Sequence, residues 1–401
     1  MILQSSNMEY NTHTMADGLR VIHLPSASPV VYCGYAINAG TRDEAPGEEG
    51  LAHFCEHITF KGTARRRAWH ILNCLESVGG DLNAFTGKED TVYHAAVLRD
   101  HITRAADLLT DIVFHSTYPQ SEIDKEVEVI CEEIESYNDS PGHNILGQAE
   151  RLRNYTTDDA RRFTSRLYRP DNAIFFAYGD IDFTRLVKAL ERAGHDSAPS
   201  HPPLTDMENM RLHRLPEYRP ERKTIHMDTH LAHVMTGNRA YDIHDNRRMA
   251  LYLLNNIMGG PGMTARLNLT LRERHALVYT VESSMASYSD TGVWAVYFGC
   301  DPAQTDRCMR LVRRELDRMA DTQLSDRQLN AAKKQIKGQI GVACDSRENF
   351  AIDFAKSFLH YGWEKDVARL FRNIDAVTPQ MIRQVAQETF APELMTTLII
   401  R

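Results

Sequence analysis

Three things are missing from this chain, and each narrows what it can be. The seven cysteines contain no CxxC pair, no stretch approaches the roughly 18 to 20 uncharged apolar residues of a membrane span, and no basic block stands out. Cys33, Cys55, Cys74, Cys131, Cys300, Cys308 and Cys344 form an odd, scattered set. That argues against a disulfide framework and against a cysteine zinc site, and predicts free thiols in a reducing compartment. The opening residues, MILQSSNMEYNTHTMADGLRV, have neither a basic n-region nor an apolar h-region, so no secretory signal and a cytoplasmic location are expected. With a formal charge of −8, neither nucleic acid nor a membrane is an expected partner.

What is present is ordinary for a globular protein: 42% hydrophobic and 25% charged residues over 401 positions, long enough for two or three compact units. Residues 195–221 are rich in Pro, Ser and charge, which marks a linker. The expected layout is a domain over 1–200, a linker over 201–221 and a second domain over 222–401.

Within the first domain, Leu19–Pro25, Pro29–Ile37, Thr91–Val97 and Asn172–Tyr178 read as strands. Ile123, Val127, Ile130, Ile134 and Tyr137 recur at helical spacing on a long amphipathic segment. The second half repeats the order. Strand-like runs at Lys223–Met227 and Leu231–Met235 come first, helices cover roughly 243–274, and strands at Val278–Ser284 and Gly292–Phe298 precede a helical tail and a last strand, Met395–Ile400. Residues 324–340 occupy the place of 121–137, which points to an internal duplication. The predicted fold class is α+β, two homologous domains, each a mainly antiparallel sheet backed by helices.

The chemistry concentrates in Gly50-Leu-Ala-His53-Phe-Cys-Glu56-His57-Ile-Thr-Phe-Lys-Gly-Thr63. As a helix, this segment places Leu51, Phe54, Cys55 and Ile58 on one face and His53, Glu56 and His57 on the other. Two imidazoles one turn apart can ligate one zinc ion, and a carboxylate just before the second one reaches the same volume without having to bind. Glu56 is then free to act as a base on water that the metal acidifies. A catalytic zinc site needs a third protein ligand, and the 121–139 helix offers candidates. Glu128, Glu132 and Glu135 face away from its apolar stripe, whereas Glu126 and Glu133 fall together at the stripe's edge, two turns apart. Glu133, rather than Glu132, is the expected ligand, with Glu126 orienting a ligand histidine. His94 and His233 are expected to be structural, and Gly259, Gly260 and Gly262 to form a turn, since no GxxxxGK[ST] follows.

The chain resembles the family of pitrilysin, insulysin and the mitochondrial processing peptidases. The resemblance rests on GLAHFCEH followed by FKGT, VGGDLNAFT at 78–86, EVEVICEEI at 126–134 with its glutamates seven apart, and GGPGMTARLNLTLRERHALVYTV at 259–281. It implies His53, His57 and Glu133 as ligands of one zinc ion per chain, Glu56 as general base and Glu126 behind a ligand. It also implies that Asn83, Ala84 and Phe85 lie on an edge strand to which a peptide substrate adds its backbone; read without the family, Asn83 is a turn residue. Arg272 and Tyr279 match the family's substrate-binding and oxyanion-stabilising pair, an assignment that rests on resemblance alone. One departure is visible: where relatives often read R-G-L-A-Y, this chain has Arg274-His275-Ala276-Leu277-Val278-Tyr279, and the lost glycine bears on the approach to Tyr279.

Chains of this length look like half of the longer, four-domain clamshell relatives and pair to enclose a chamber. The resemblance therefore implies a homodimer, with a heterodimer as the alternative, and Arg272 and Tyr279 supplied by the partner chain. The expected activity is endoproteolysis of short or unfolded peptides, against the alternative of a non-catalytic scaffold or partner subunit.

Overall fold

A computed structural model describes residues 9–137, 145–194, 215, 217–227 and 230–401. The expected linker over 201–221 therefore falls largely outside the described residues. The chain divides into two compact units, Met1–Arg211 with Ala343–Asp366, and Leu212–Val342 with Val367–Arg401.

The first unit begins with strands β1 (Asn11–Thr14), β2 (Arg20–Pro25) and β3 (Val30–Ile37). Helices α1 (Leu51–Thr59) and α2 (Ala68–Glu76) follow, then strands β4 (Asp81–Thr86) and β5 (Thr91–Leu98). Helices α3 (Ile102–Phe114), α4 (Gln120–Tyr137), α5 (Ala149–Leu152) and α6 (Thr157–Leu167) lead to strand β6 (Ala173–Gly179) and helix α7 (Phe183–Ala193). The sheet order is β1-β2-β6-β3-β5-β4, with only the β2–β6 pair parallel. Strand alternation sets the core. Val31, Cys33, Tyr35 and Ile37 of β3 pack into one hydrophobic cluster with Leu51, Phe54, Cys55 and Ile58 of α1.

The second unit contains β7 (Arg222–Ile225), β8 (Ala232–Ala240), α8 (Arg248–Gly259), a π-helical segment at Asn268–Arg274, β9 (Val278–Ser287) and β10 (Gly292–Cys300). Helices α9 (Thr305–Asp321) and α10 (Asp326–Ala343) come next, and α12 (Val367–Ala376), α13 (Pro379–Thr389) and β11 (Thr396–Ile400) close it. Its sheet runs β7-β11-β8-β10-β9, again with one parallel pair, β11 with β7. Leaving out β1, the two sheets have the same order strand for strand, with β4 and β9 as equivalent edges. α4 and α10 occupy equivalent places and each has 18 residues. The duplication read from the chain is thus a duplication of topology.

Helix α11 (Arg347–Tyr361) belongs to the first unit, although the sequence reading assigned that stretch to the second domain. It lies against the face of the first sheet opposite α1. Phe354 meets Phe176 and Tyr178 edge-on, with ring centroids 6.3 Å apart in each case. Asp90 receives Lys356 at 2.8 Å and His360 at 2.9 Å, and Arg20 donates to the Phe358 carbonyl at 3.1 Å. Amphipathic periodicity reports which face of a helix is apolar, not which sheet it covers.

Candidate metal centre

Helix α1 is placed by its first residues. Gly50 precedes it at φ +88, a left-handed conformation, and a Cβ there would lie 2.6 Å from the Leu146 carbonyl oxygen, so only glycine fits. Two N–H groups at the helix start share one side-chain acceptor, Glu44, which takes Gly50 N at 3.1 Å and Ala52 N at 3.0 Å, while Leu51 N donates to the Glu48 carbonyl at 2.9 Å. Burial pushes the Glu44 carboxyl up to about 7, against the pull of those two N–H donors. Anchored this way, and with its apolar face sunk in the core, α1 presents His53, Glu56 and His57 toward α4.

There the ring nitrogens meet Glu133. His57 Nε2 lies 3.4 Å and His53 Nε2 3.8 Å from Glu133 Oε2, and the donor atoms of the three residues all fall within 4.8 Å of one another. A tetrahedral zinc ion with bonds of about 2.1 Å separates its ligand atoms by roughly 3.4 Å, so this donor set fits such an ion in both spacing and chemistry. Glu132 is exposed and takes no part, as its place on the helix predicts.

Electrostatics divide the two imidazoles. Burial, aided by the neighbouring His57, pushes His53 down to about 3, which keeps it in the neutral form a metal requires. For His57 burial also opposes the cation, but the hydrogen bond to Glu126 and the charges of Glu56, Glu126 and Glu133 outweigh it and raise the ring. Glu126 Oε1 sits 3.1 Å from His57 Nδ1, and its other oxygen lies 2.5 Å from Lys61 Nζ. A carboxylate on Nδ1 fixes the tautomer that turns Nε2 toward the ligand site. His53 Nδ1, by contrast, is buried and makes no hydrogen bond among the described residues.

Glu56 is 8% exposed and accepts a 2.6 Å hydrogen bond from Thr86 Oγ1. Burial raises its carboxyl above the usual range, the Thr86 bond and His57 work against that, and the charge of Glu133 adds to it. A carboxylate so held is a better proton acceptor than a solvated one.

Two contributors escaped the sequence reading. Lys61 stands one turn after His57 in FKGT, so helical spacing could have found it. Thr86 is the last residue of β4 and closes the VGGDLNAFT motif, but only its place in the fold shows that it reaches Glu56. Asn83, Ala84 and Phe85 lie in β4, the free edge of the first sheet. Asn83 donates to Asp81 at 3.0 Å, and Phe85 lies under Lys356 Nζ, 5.5 Å from its ring centroid. In the second unit, Arg272 lies in the π-helical segment with its side chain 44% exposed, 3.7 Å from Glu273, and Tyr279 on edge strand β9 is 86% exposed. His94 pairs with Glu348 at 3.2 Å and His233 with the Tyr297 hydroxyl at 2.8 Å, and neither belongs to the ligand cluster.

Comparison with known proteins meets this geometry from outside. The insulinase (peptidase family M16) model matches residues 20–163, and the peptidase M16 inactive-domain model matches 154–336. An uncharacterised zinc protease of Streptomyces coelicolor is 32% identical over 399 residues, covering 94% of this chain and 86% of the relative. The uncharacterised zinc protease YmxG of Bacillus subtilis is 30% identical over 407 residues, covering 96% and 97%. The chain belongs to peptidase family M16. Among solved structures, a protease from Helicobacter pylori superposes with a TM-score of 0.89 at 19% identity, over 98% of this chain and 99% of that one. A peptidase M16 inactive domain from Pseudomonas fluorescens gives 0.84 at 16%, over 98% and 97%. Both share the M16 fold. The inactive-domain match starts beyond α4, so His53, Glu56, His57 and Glu133 all lie in the part matched to the insulinase model. No helix among the described residues is long and apolar enough to cross a membrane.

Proposed function

We propose that this chain is a zinc-dependent endopeptidase of short or unfolded peptides. The observation that carries the reading is the convergence of His53, His57 and Glu133 beside a buried carboxylate that is not needed as a ligand. Those three residues would hold one zinc ion per chain, which supplies Lewis acidity toward water and a peptide carbonyl. Glu126, backed by Lys61, keeps His57 in the correct tautomer. Glu56, steadied by Thr86, takes the proton from the attacking water and delivers it to the leaving nitrogen. The unpaired edge of β4 at Asn83, Ala84 and Phe85 receives the substrate backbone as an added strand. Arg272 and Tyr279 bind the substrate and stabilise the developing oxyanion; in this reading the chain works as a homodimer that encloses the substrate, and the partner chain supplies the pair. A reducing compartment such as the cytoplasm fits the seven scattered cysteines, which include no CxxC pair.

The test is hydrolysis of a mixed pool of unstructured peptides by the wild type, by Glu56→Gln, and by wild type stripped with a chelator and reloaded with zinc. Cleavage only by the metal-loaded wild type is expected. If zinc is bound and all samples are inert, the scaffold or partner-subunit reading takes its place.

A further inference from the structure

A second site lies far from this chemistry in the chain, within the second unit. A cavity of about 520 Å³ opens between the sheet and helix α9, lined by Arg222, Arg310, Arg313 and Arg314 with Asp317 as its only carboxylate among the described residues. Asp317 is taken by Arg313, whose Nη2 lies 2.7 Å away and whose Nη1 donates to the Phe390 carbonyl at 2.7 Å. Arg222, Arg310 and Arg314 have no ion-pair partner among the described residues.

This arrangement costs the folded chain something. Arg310 and Arg314 stand four residues apart on one helix, and like charges at that spacing destabilise it. A bound anion would remove the repulsion, and planar guanidinium groups suit oxyanions with several acceptors. The remaining wall is apolar, with Met309, Val312, Leu316 and Met395 beside it. Thr236 and Thr397 bond to each other at 3.0 Å, which leaves recognition to the arginines. Three unneutralised cations match a dianion better than a single carboxylate, and the apolar wall asks for a carbon body on it. We propose that this cavity binds a small organic phosphate, its phosphate on Arg222, Arg310 and Arg314 and its carbon portion against the methionines.

Calorimetric titration of the full-length protein with butyl phosphate, inorganic phosphate and butyrate tests this. Saturable binding of butyl phosphate is expected, at least tenfold tighter than butyrate or inorganic phosphate. It should weaken at least tenfold in Arg310→Ser/Arg314→Ser, with the fold retained by circular dichroism. Arg222→Ser, on the strand side of the cavity, is the second variant if the helix pair fails to fold, with the same weakening expected. No saturable heat up to about 10 mM, or equal affinity in the variants, overturns the proposal. Inorganic phosphate binding as tightly as the ester does so too, because the apolar wall would then play no part.

Discussion

Thr86 Oγ1 donates a 2.6 Å hydrogen bond to Glu56 Oε2, tying the last residue of edge strand β4 to the carboxylate of helix α1. The strand proposed to receive the peptide and the group proposed to take the proton are therefore joined by one bond. A hydrogen bond to a charged partner contributes about 1.5–3 kcal/mol, and 1.4 kcal/mol is tenfold in rate. Thr86→Val should lower kcat about tenfold or more with zinc content unchanged, and Thr86→Ser should restore most of it. An unaltered kcat in the valine variant removes Thr86 from this role.

Glu133→Ala takes away one of three donors and should abolish stoichiometric zinc, read by metal analysis after gel filtration. Glu126→Gln should keep the ion but weaken it by roughly 10–100-fold, as loss of a histidine's supporting carboxylate does. Full zinc occupancy in Glu133→Ala would move the third ligand elsewhere.

Tyr279 is 86% exposed, so its removal is not expected to disturb the fold. Tyr279→Phe should leave the unfolding temperature in place and lower turnover by about 10²-fold, the effect of losing one oxyanion donor. Unchanged turnover would strip the residue of its proposed role.

Asp111 is fully buried on α3. Burial alone would raise its carboxyl, but the His115 imidazole 3.6 Å away and hydrogen bonds from Arg66 and Thr63 prevail and hold it down at about 2. Its folded value is below the ordinary one of about 4, so the stabilisation is complete above pH 4 and is lost as pH falls toward 2. Asp111→Asn should cost roughly 3 kcal/mol at pH 7 by urea denaturation, with the gap to wild type closing in that acid window. An equal gap at pH 7 and at the acid end would contradict the account.

Ala276 stands at φ +49, in the left-handed region where a side chain other than glycine's costs about 1 kcal/mol. It follows the π-helical segment, and its N–H donates to the Arg272 carbonyl at 2.9 Å. Ala276→Gly should raise stability by roughly 0.5–1 kcal/mol. A destabilised glycine variant would mean that the alanine methyl is used in packing.

How much of this could be read from the chain depends on whether the signal is local. α1 was legible because Leu51, Phe54, Cys55 and Ile58 keep helical spacing while His53, Glu56 and His57 share the other face. α4 was legible for the same reason, and burial of Ile123, Val127 and Ile130 follows the spacing. β1 was not, since Asn11–Thr14 is a polar edge strand without alternation. In β4, Asn83 carried a turn reading of its own, and only the family resemblance marked the strand. The π-helical turns at Asn268–Arg274 have no sequence signature, and the departure from R-G-L-A-Y before Tyr279 does not point to them. Thr86 and Glu44 reach α1 through space; Thr86 closes the VGGDLNAFT motif, yet nothing in the motif says that its hydroxyl meets Glu56.

Helix α11 carries a consequence for how the chain is made. The last strand of the first sheet ends at Gly179, but the helix that covers that sheet's outer face ends at Tyr361. At about 5–20 residues per second, a ribosome needs roughly ten to forty seconds to bridge that interval. For that time Phe176 and Tyr178 have no Phe350 or Phe354 to meet, and the nascent sheet offers a bare aromatic surface to whatever passes. The N-terminal half is thus born unfinished, its sheet complete in strands long before the helix that covers it exists.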